Sequence, residues 1–294
     1  TPILEENEKK GFSTADIFGN ELHRYSIADG IRDANVLGFD PNKVLTFPDA
    51  DVRKAVALEK ARAKTEEEAL ADEAKRRIYQ RYMALPMAGA RRSDGTRESG
   101  IEDFVPESQY RSEEHRGKVV EHIRDNWARL SVLGKFHALL ATSSIPEAFE
   151  YYKLLKREMP ELKATVVVDD SIDNDGGGAA KEDELVAVLD DYNARYGKKF
   201  TLKTFAGFKR DVAARLAHKK PYCDIGLPGG EAARIDLVVV VNQMLTGYDS
   251  KWVNTLYLDK TLEYARVIQS FSRTNRLFGP DKPFGTILYY RRPH

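Results

Sequence analysis

The segment of this 294-residue chain best suited to chemistry is Gln269-Ser270-Phe271-Ser272-Arg273-Thr274-Asn275-Arg276. Read as part of a helix over 263–277, it places Gln269, Arg273 and Arg276 on one polar face, because at ~100° per residue the three positions fall within an arc of about 60°. Two guanidinium groups facing the same way suit a developing phosphoryl charge, since the planar fork donates in pairs and stays protonated at working pH. Supplied across a cleft between domains, such a group is an arginine finger. An isolated R-x-x-R is most often an ordinary surface helix, so the assignment depends on its surroundings.

Upstream, Val238-Val239-Val240-Val241 is a continuous apolar run that fits a strand covered on both faces. It leads into the polar segment from Asn242 to Asp249. Ligands of open parallel sheets bind beyond the carboxyl ends of strands, which is where Thr246, Gly247 and Asp249 fall. Gly247 allows a phosphate or a partner domain to approach the backbone, and Thr246 offers a hydroxyl to a nucleic-acid phosphate. A strand-end turn that needs a glycine accounts for the same residues. A third segment, Phe136 to Ala148, runs from a strand into a helix that Thr142 or Ser144 caps, with Pro146 in its first turn. Backbone N–H groups at such a start bind anions, although capping alone explains the residue types.

The elements that would position these residues are short apolar runs alternating with helical stretches, the pattern of a parallel sheet built from βαβ units. Strands are expected at 136–142, 164–169, 235–241, 255–258 and 284–290, and helices near 113–130 and at 146–158, 182–196, 205–218 and 263–277. Residues 1–48 read as a connecting arm. From Asp51 to about Leu85 no proline or glycine interrupts a run rich in Ala, Glu, Lys and Arg, which predicts helix throughout. Residues 86–110 have the composition of a mobile linker or an insertion, and Asp173 to Gly178 that of a flexible loop.

Composition narrows the function classes. With 42% hydrophobic and 31% charged residues the chain can bury a core, and no apolar run approaches the ~20 residues of a membrane span. The formal net charge is zero, so any nucleic-acid contact must come from local groups. The single cysteine, Cys223, excludes an internal disulfide, and the histidines show no ligand spacing; the expectation is a reducing compartment, the cytoplasm, and no structural metal. A chain that opens on Thr1 reads as an excised fragment without a signal peptide. No G-x-x-x-x-G-K-[ST] occurs, so the loop that cradles ATP phosphates is missing. Val166-Val167-Val168-Asp169-Asp170 imitates a magnesium-binding strand end, and Glu161-Leu162-Lys163 a fragment of a nuclease site; both patterns arise easily by chance and are set aside.

The three segments, in this order, resemble motifs IV, V and VI of superfamily 2 helicases, with Ser272 where many relatives have glycine. In detail, Leu245 to Lys251, Asn254 to Lys260 and Ile268 to Arg276 are similar to the restriction subunit of type I restriction-modification enzymes, as are Thr1-Pro2-Ile3, Asp16 to Gly19 and Tyr25 to Leu37. Residues 49–112 and 171–230 carry little of this resemblance. It implies an α/β fold with a RecA-like parallel sheet flanked by helices, the second helicase domain, over 113–294, after an arm (1–48) and a helical region with linker (49–112). It implies, too, an ATP-dependent motor that translocates double-stranded DNA in a complex with methyltransferase and specificity subunits. Arg273, Arg276 and Gln269 would serve catalysis, Gly247 and Asp249 would lie near the nucleotide, and Thr142, Ser143 and Thr246 would face DNA. ATP and Mg2+ would be held mainly by the preceding motor domain, and the nuclease would lie N-terminal to this chain, leaving it inactive alone. A non-catalytic α/β module that docks a partner subunit, or the second domain of another superfamily 2 helicase, are the alternative readings.

Overall fold

The computed structural model describes residues 19, 25–169, 178–245, 247–262 and 265–293. In chain order the principal elements are α1 (Ile27–Arg32), β1 (Gly38–Lys43), α2 (Asp49–Ala61), α3 (Glu66–Ala71), α4 (Glu73–Met83), β2 (Ala90–Arg91), β3 (Arg97–Glu98), α5 (Glu113–Leu130), β4 (His137–Thr142), α6 (Ile145–Glu158), β5 (Ala164–Val167), α7 (Gly178–Tyr196), α8 (Phe205–Leu216), β6 (Leu237–Val240), β7 (Val253–Asp259), α9 (Ala265–Phe271) and β8 (Phe284–Tyr289). The chain divides into two compact units, Thr1–Asn42 with Arg124–Leu288, and Lys43–Ile123 with Tyr289–His294. This division falls inside α5.

The larger unit is built on a six-stranded sheet of order β1-β8-β7-β4-β6-β5, in which β5, β6, β4 and β7 pair in parallel. This is the expected α/β architecture, a sheet with a parallel core flanked by helices. Every residue of β4, β5, β6 and β7 is buried, as strands covered by helices on both faces require. Ser144 caps α6, its hydroxyl accepting from the Glu147 N–H, and Pro146 sits in the first turn, where a missing N–H costs nothing. The strand β1 was not expected: it lies at the sheet edge, where Pro41 removes no needed ladder donor.

In the smaller unit the expected continuous helix over 51–85 is three helices. Arg62 ends α2 in the left-handed region (φ 52°), then Thr65 caps α3 by accepting from the Glu68 N–H and Asp72 caps α4 by accepting from the Lys75 N–H. Each break returns orphaned first-turn donors to a side-chain acceptor. Ala57, Ala61, Ala69 and Tyr79 form the core these helices share. The segment expected to be a mobile linker contains an antiparallel hairpin, Ala90 opposite Glu98 and Arg91 opposite Arg97, followed by a 3-10 turn at Ile101–Phe104. The expected loop at 173–178 falls almost wholly on residues outside those described.

Candidate functional site

The site grows from the segment that follows β6. It is fixed at both ends by side chains from neighbouring elements. The Lys260 ammonium donates to Val241 O (2.8 Å) and Asn242 Oδ1 (2.9 Å) where the strand ends. Farther on, the Tyr248 hydroxyl donates to Ala213 O (3.2 Å) and the Ser250 hydroxyl to Leu216 O (2.7 Å), both carbonyls at the end of α8. Asp249 is thereby held between two anchored residues. Gly247, exposed, adopts φ +71°, and a Cβ there would meet nothing within 4 Å. The glycine is therefore required by backbone conformation, and the amide beside it stays open to approach.

The segment carrying Gln269, Arg273 and Arg276 departs from its expected form. Helix α9 ends at Phe271, so Arg273 lies in a turn and Arg276 in irregular chain, and no shared helical face aligns them with Gln269. The cause is local. The Ser272 hydroxyl donates back to Ile268 O (2.7 Å) and the Thr274 hydroxyl to Phe271 O (2.9 Å), competing with helix continuation. The turn also packs against β8 at Gly285, where a Cβ would lie 2.9 Å from the Thr274 carbonyl carbon, and Asn275 O accepts from the Leu37 N–H (2.8 Å) just before β1.

The two arginines are nonetheless brought together, by the segment after β6. Arg273, half-buried, donates through Nε to Gln269 O (3.0 Å) and through Nη1 to Tyr248 O. Arg276 pairs through Nε with Asp249 Oδ1 at 2.6 Å, and both partners remain open to solvent (39% and 67% side-chain exposure). A third cation, Lys282, lies buried behind them, its ammonium donating to Lys251 O (3.0 Å) and Val253 O (2.7 Å). Burial, reinforced by the charge of Arg276 and opposed by Asp249, pulls Lys282 down to about 7. The same causes, in the same order, hold Arg273 below its usual range. Among the described residues Asp249 thus pairs with Arg276 alone, while Arg273 and Lys282 are held by backbone carbonyls close by, and the two guanidinium groups leave a local excess of positive charge that favours an anionic ligand. No group of three or more His, Cys, Asp or Glu that could hold a metal ion occurs among the described residues.

On the other proposed face, Thr142 is fully buried, and its hydroxyl is shared between Ser144 O (3.1 Å) and Val240 O (3.4 Å). It closes the end of the sheet, and a direct contact with DNA, the expectation for this residue, does not fit that position. Ser143 is half-buried, its hydroxyl donating to Asp259 O (3.4 Å), and Thr246 lies outside the described residues. Beyond the ends of β5 and β6 a cavity of about 460 Å³ is lined by Val167, Lys209, Arg210, Gln243, Gly247 and Tyr248 among others.

Sequence reasoning did not single out the supports. Arg215, 2% exposed, ties α8 in place by donating to Asp211 Oδ2 (2.9 Å), Ala233 O (2.7 Å) and the Tyr222 hydroxyl (3.0 Å). The Tyr192 and Tyr222 hydroxyls donate to the same carboxylate at 2.6 and 2.5 Å. No motif marks these residues. Lys282, in a Gly-Pro-Asp-Lys-Pro turn, offered no signal of burial either.

The profile of Type I restriction enzyme subunit R domain 3 matches residues 134–292. Over 300 residues, 99% of this chain, the sequence is 29% identical to a type I restriction enzyme endonuclease subunit from Staphylococcus aureus, and over 301 residues 29% identical to one from Staphylococcus saprophyticus. The chain spans about a quarter (27%) of the length of these relatives. Among solved structures, a fragment of an HsdR subunit of a type I restriction enzyme from Vibrio vulnificus aligns over 99% of this chain and 38% of its own, at 13% identity and a TM-score of 0.48. No helix among the described residues is long and apolar enough to cross a membrane. Since the profile match takes in more than half of the 294 residues, the chain belongs to the family of the type I restriction enzyme subunit R, whose domain 3 it carries.

Proposed function

We propose that this chain is the second motor domain of an ATP-dependent double-stranded DNA translocase, the restriction subunit of a type I restriction-modification system. The observation that supports the reading is the convergence of Arg273, on the Tyr248 carbonyl, and Arg276, on the Asp249 carboxylate, at the segment that follows a strand of the parallel sheet. Closure of this domain on a preceding motor domain brings the two guanidinium groups onto the γ-phosphate, with Gln269 assisting. Arg276 exchanges Asp249 for phosphate oxygens, while Arg273 keeps its backbone anchors and turns its remaining donors to the same charge. Gly247 and Asp249 border the nucleotide. ATP with Mg2+, held mainly by the preceding domain, supplies the driving force when bound, and each hydrolysis reopens the cleft and advances the DNA.

Ser143 and Thr246 meet DNA phosphates, with Thr142 shaping the strand end beneath them. The cations Lys209 and Arg210 beside the cavity suit the same ligand. Methyltransferase and specificity subunits select the site, and the assembly works in the cytoplasm. Arg273→Ala and Arg276→Ala, placed singly in the intact subunit, are each expected to lower DNA-stimulated ATP turnover by ~10³-fold. Turnover within tenfold of the unaltered subunit contradicts the assignment. The chain by itself is expected to release no phosphate from ATP.

A further inference from the structure

The smaller unit carries a charge feature that the motor site does not use. Residues 75–92 contain six cations (Lys75, Arg76, Arg77, Arg81, Arg91 and Arg92) and no carboxylate, in a chain whose formal net charge is zero. Helix α4 sorts its own share by face. Tyr79 is buried and Tyr82 and Met83 are half-buried against the core of α2 and α3, while Arg77 and Arg81, one turn apart, lie on the opposite side and are exposed. Lys75 pairs with Glu68, the Arg76 Nε donates to Leu70 O, and Arg92 on the hairpin pairs with Glu98. Arg77 and Arg81 make no ion pair among the described residues, and Glu73, one turn before Arg77, forms none with it. Like charges at i and i+4 destabilise a helix, a cost that an external anion removes.

We propose that the outward face of α4 is a binding surface for the phosphate backbone of double-stranded DNA. The inference rests on the reading of the protein as a DNA motor for the choice of polyanion. The chemistry of the face supports that choice over other acidic partners. Protein interfaces are centred on apolar and aromatic anchors, and single strands are gripped by stacking on exposed aromatic rings. The tyrosines of α4 are turned inward, and the large apolar side chain exposed on this helix is Ile78 (39%). A face of guanidinium groups without a stacking platform recognises charge and spacing along a duplex backbone, without reading bases.

The test is fluorescence anisotropy of the 294-residue chain with a labelled 30-base-pair duplex, titrated between 50 and 200 mM salt. The chain is expected to bind, with affinity falling steeply as salt rises. Arg77→Glu combined with Arg81→Glu is expected to weaken binding at least tenfold at 100 mM salt and to reduce the log–log salt slope by about 2, since each phosphate contact contributes about 0.9. Arg77→Lys with Arg81→Lys keeps the charge and is expected to keep both quantities, which separates loss of contact from loss of fold. The same reversal at the exposed Lys199 and Lys203 is expected to change the slope little. Absence of binding at 50 mM salt overturns the proposal. So does an unchanged affinity and slope in the Arg77/Arg81 reversal, or a single-stranded 30-mer that binds more tightly than the duplex. The motor reading is judged separately: in the intact subunit at saturating DNA the Arg77/Arg81 reversal leaves ATP turnover in place, whereas Arg276→Ala abolishes it.

Discussion

Arg273 and Arg276 are held in different ways, and that difference predicts separable consequences. An ion pair as exposed as Arg276 with Asp249 contributes only ~0–1 kcal/mol, so Arg276 can leave its partner at little cost when a better anion arrives. Arg273 instead satisfies two backbone carbonyls from a half-buried position, and removing it leaves acceptors unpaired at a cost of about 1–3 kcal/mol. Arg276→Ala is therefore expected to leave the urea midpoint of the chain nearly unchanged and Arg273→Ala to lower it, although both abolish ATP turnover in the intact subunit. Equal destabilisation by the two would contradict this division. At Gly247 the left-handed conformation, with open space around the absent Cβ, predicts that Gly247→Ala costs about 1 kcal/mol through the backbone alone. Chemical denaturation checks the value, and a loss of several kcal/mol would mean that packing is involved.

At the level of elements, the site depends on α8, whose carbonyls at Ala213 and Leu216 hold the residues on either side of Asp249. That helix is fixed by Arg215 and Asp211. Arg215→Met leaves the Asp211 carboxylate with two tyrosine hydroxyls and only the longer Lys198 pair at 3.5 Å, and strips Ala233 O of its donor; it is expected to destabilise the chain by about 2–3 kcal/mol, with a parallel loss of ATP turnover in the intact subunit. A change below 1 kcal/mol in thermal or urea unfolding would show that the network is dispensable. The opposite end of the parallel strands carries a pH dependence. At the start of β4, His137 Nε2 lies 2.8 Å from His218 Nε2, and the His218 ring stacks on Trp252 at 3.8 Å. Burial, then the neighbouring His218, pushes His137 down to about 3; burial, then Lys251 and Arg234, pushes His218 to about 4. The unfolded chain therefore binds protons that the folded one refuses as pH falls below 6.5, and stability declines with pH throughout that window. For His137 the loss between pH 7 and pH 5 is about 2 kcal/mol. Urea midpoints at the two pH values, with His137→Gln as the flatter comparison, measure it; a midpoint that rises on acidification would refute the pairing.

Over the molecule as a whole, the sheet was the most legible feature, because Val238 to Val241 could be apolar without alternation only in a strand covered on both faces. Ser144 and Pro146 announced α6 equally clearly, as cap and first turn. What escaped was decided by tertiary context. Strand β1 contains Asp40, Pro41 and Asn42 and owes its form to the edge of the sheet. Thr65 and Asp72 were capping signals inside a run whose composition favoured unbroken helix. The arginines were recognised by type and spacing, yet their alignment comes from the carbonyl of Tyr248 and the carboxylate of Asp249, and the helix that was to align them ends at Phe271. Since the chain spans about a quarter (27%) of the length of its relatives, its central claim is best tested in the intact subunit. The measurement is the distance from the Arg273 and Arg276 guanidinium nitrogens to the γ-phosphate in a structure of that subunit with a transition-state nucleotide analogue. Both are expected within hydrogen-bonding reach, about 2.7–3.2 Å, with Arg276 released from Asp249. An Arg276 still paired with Asp249, and neither guanidinium facing the nucleotide, would contradict the claim.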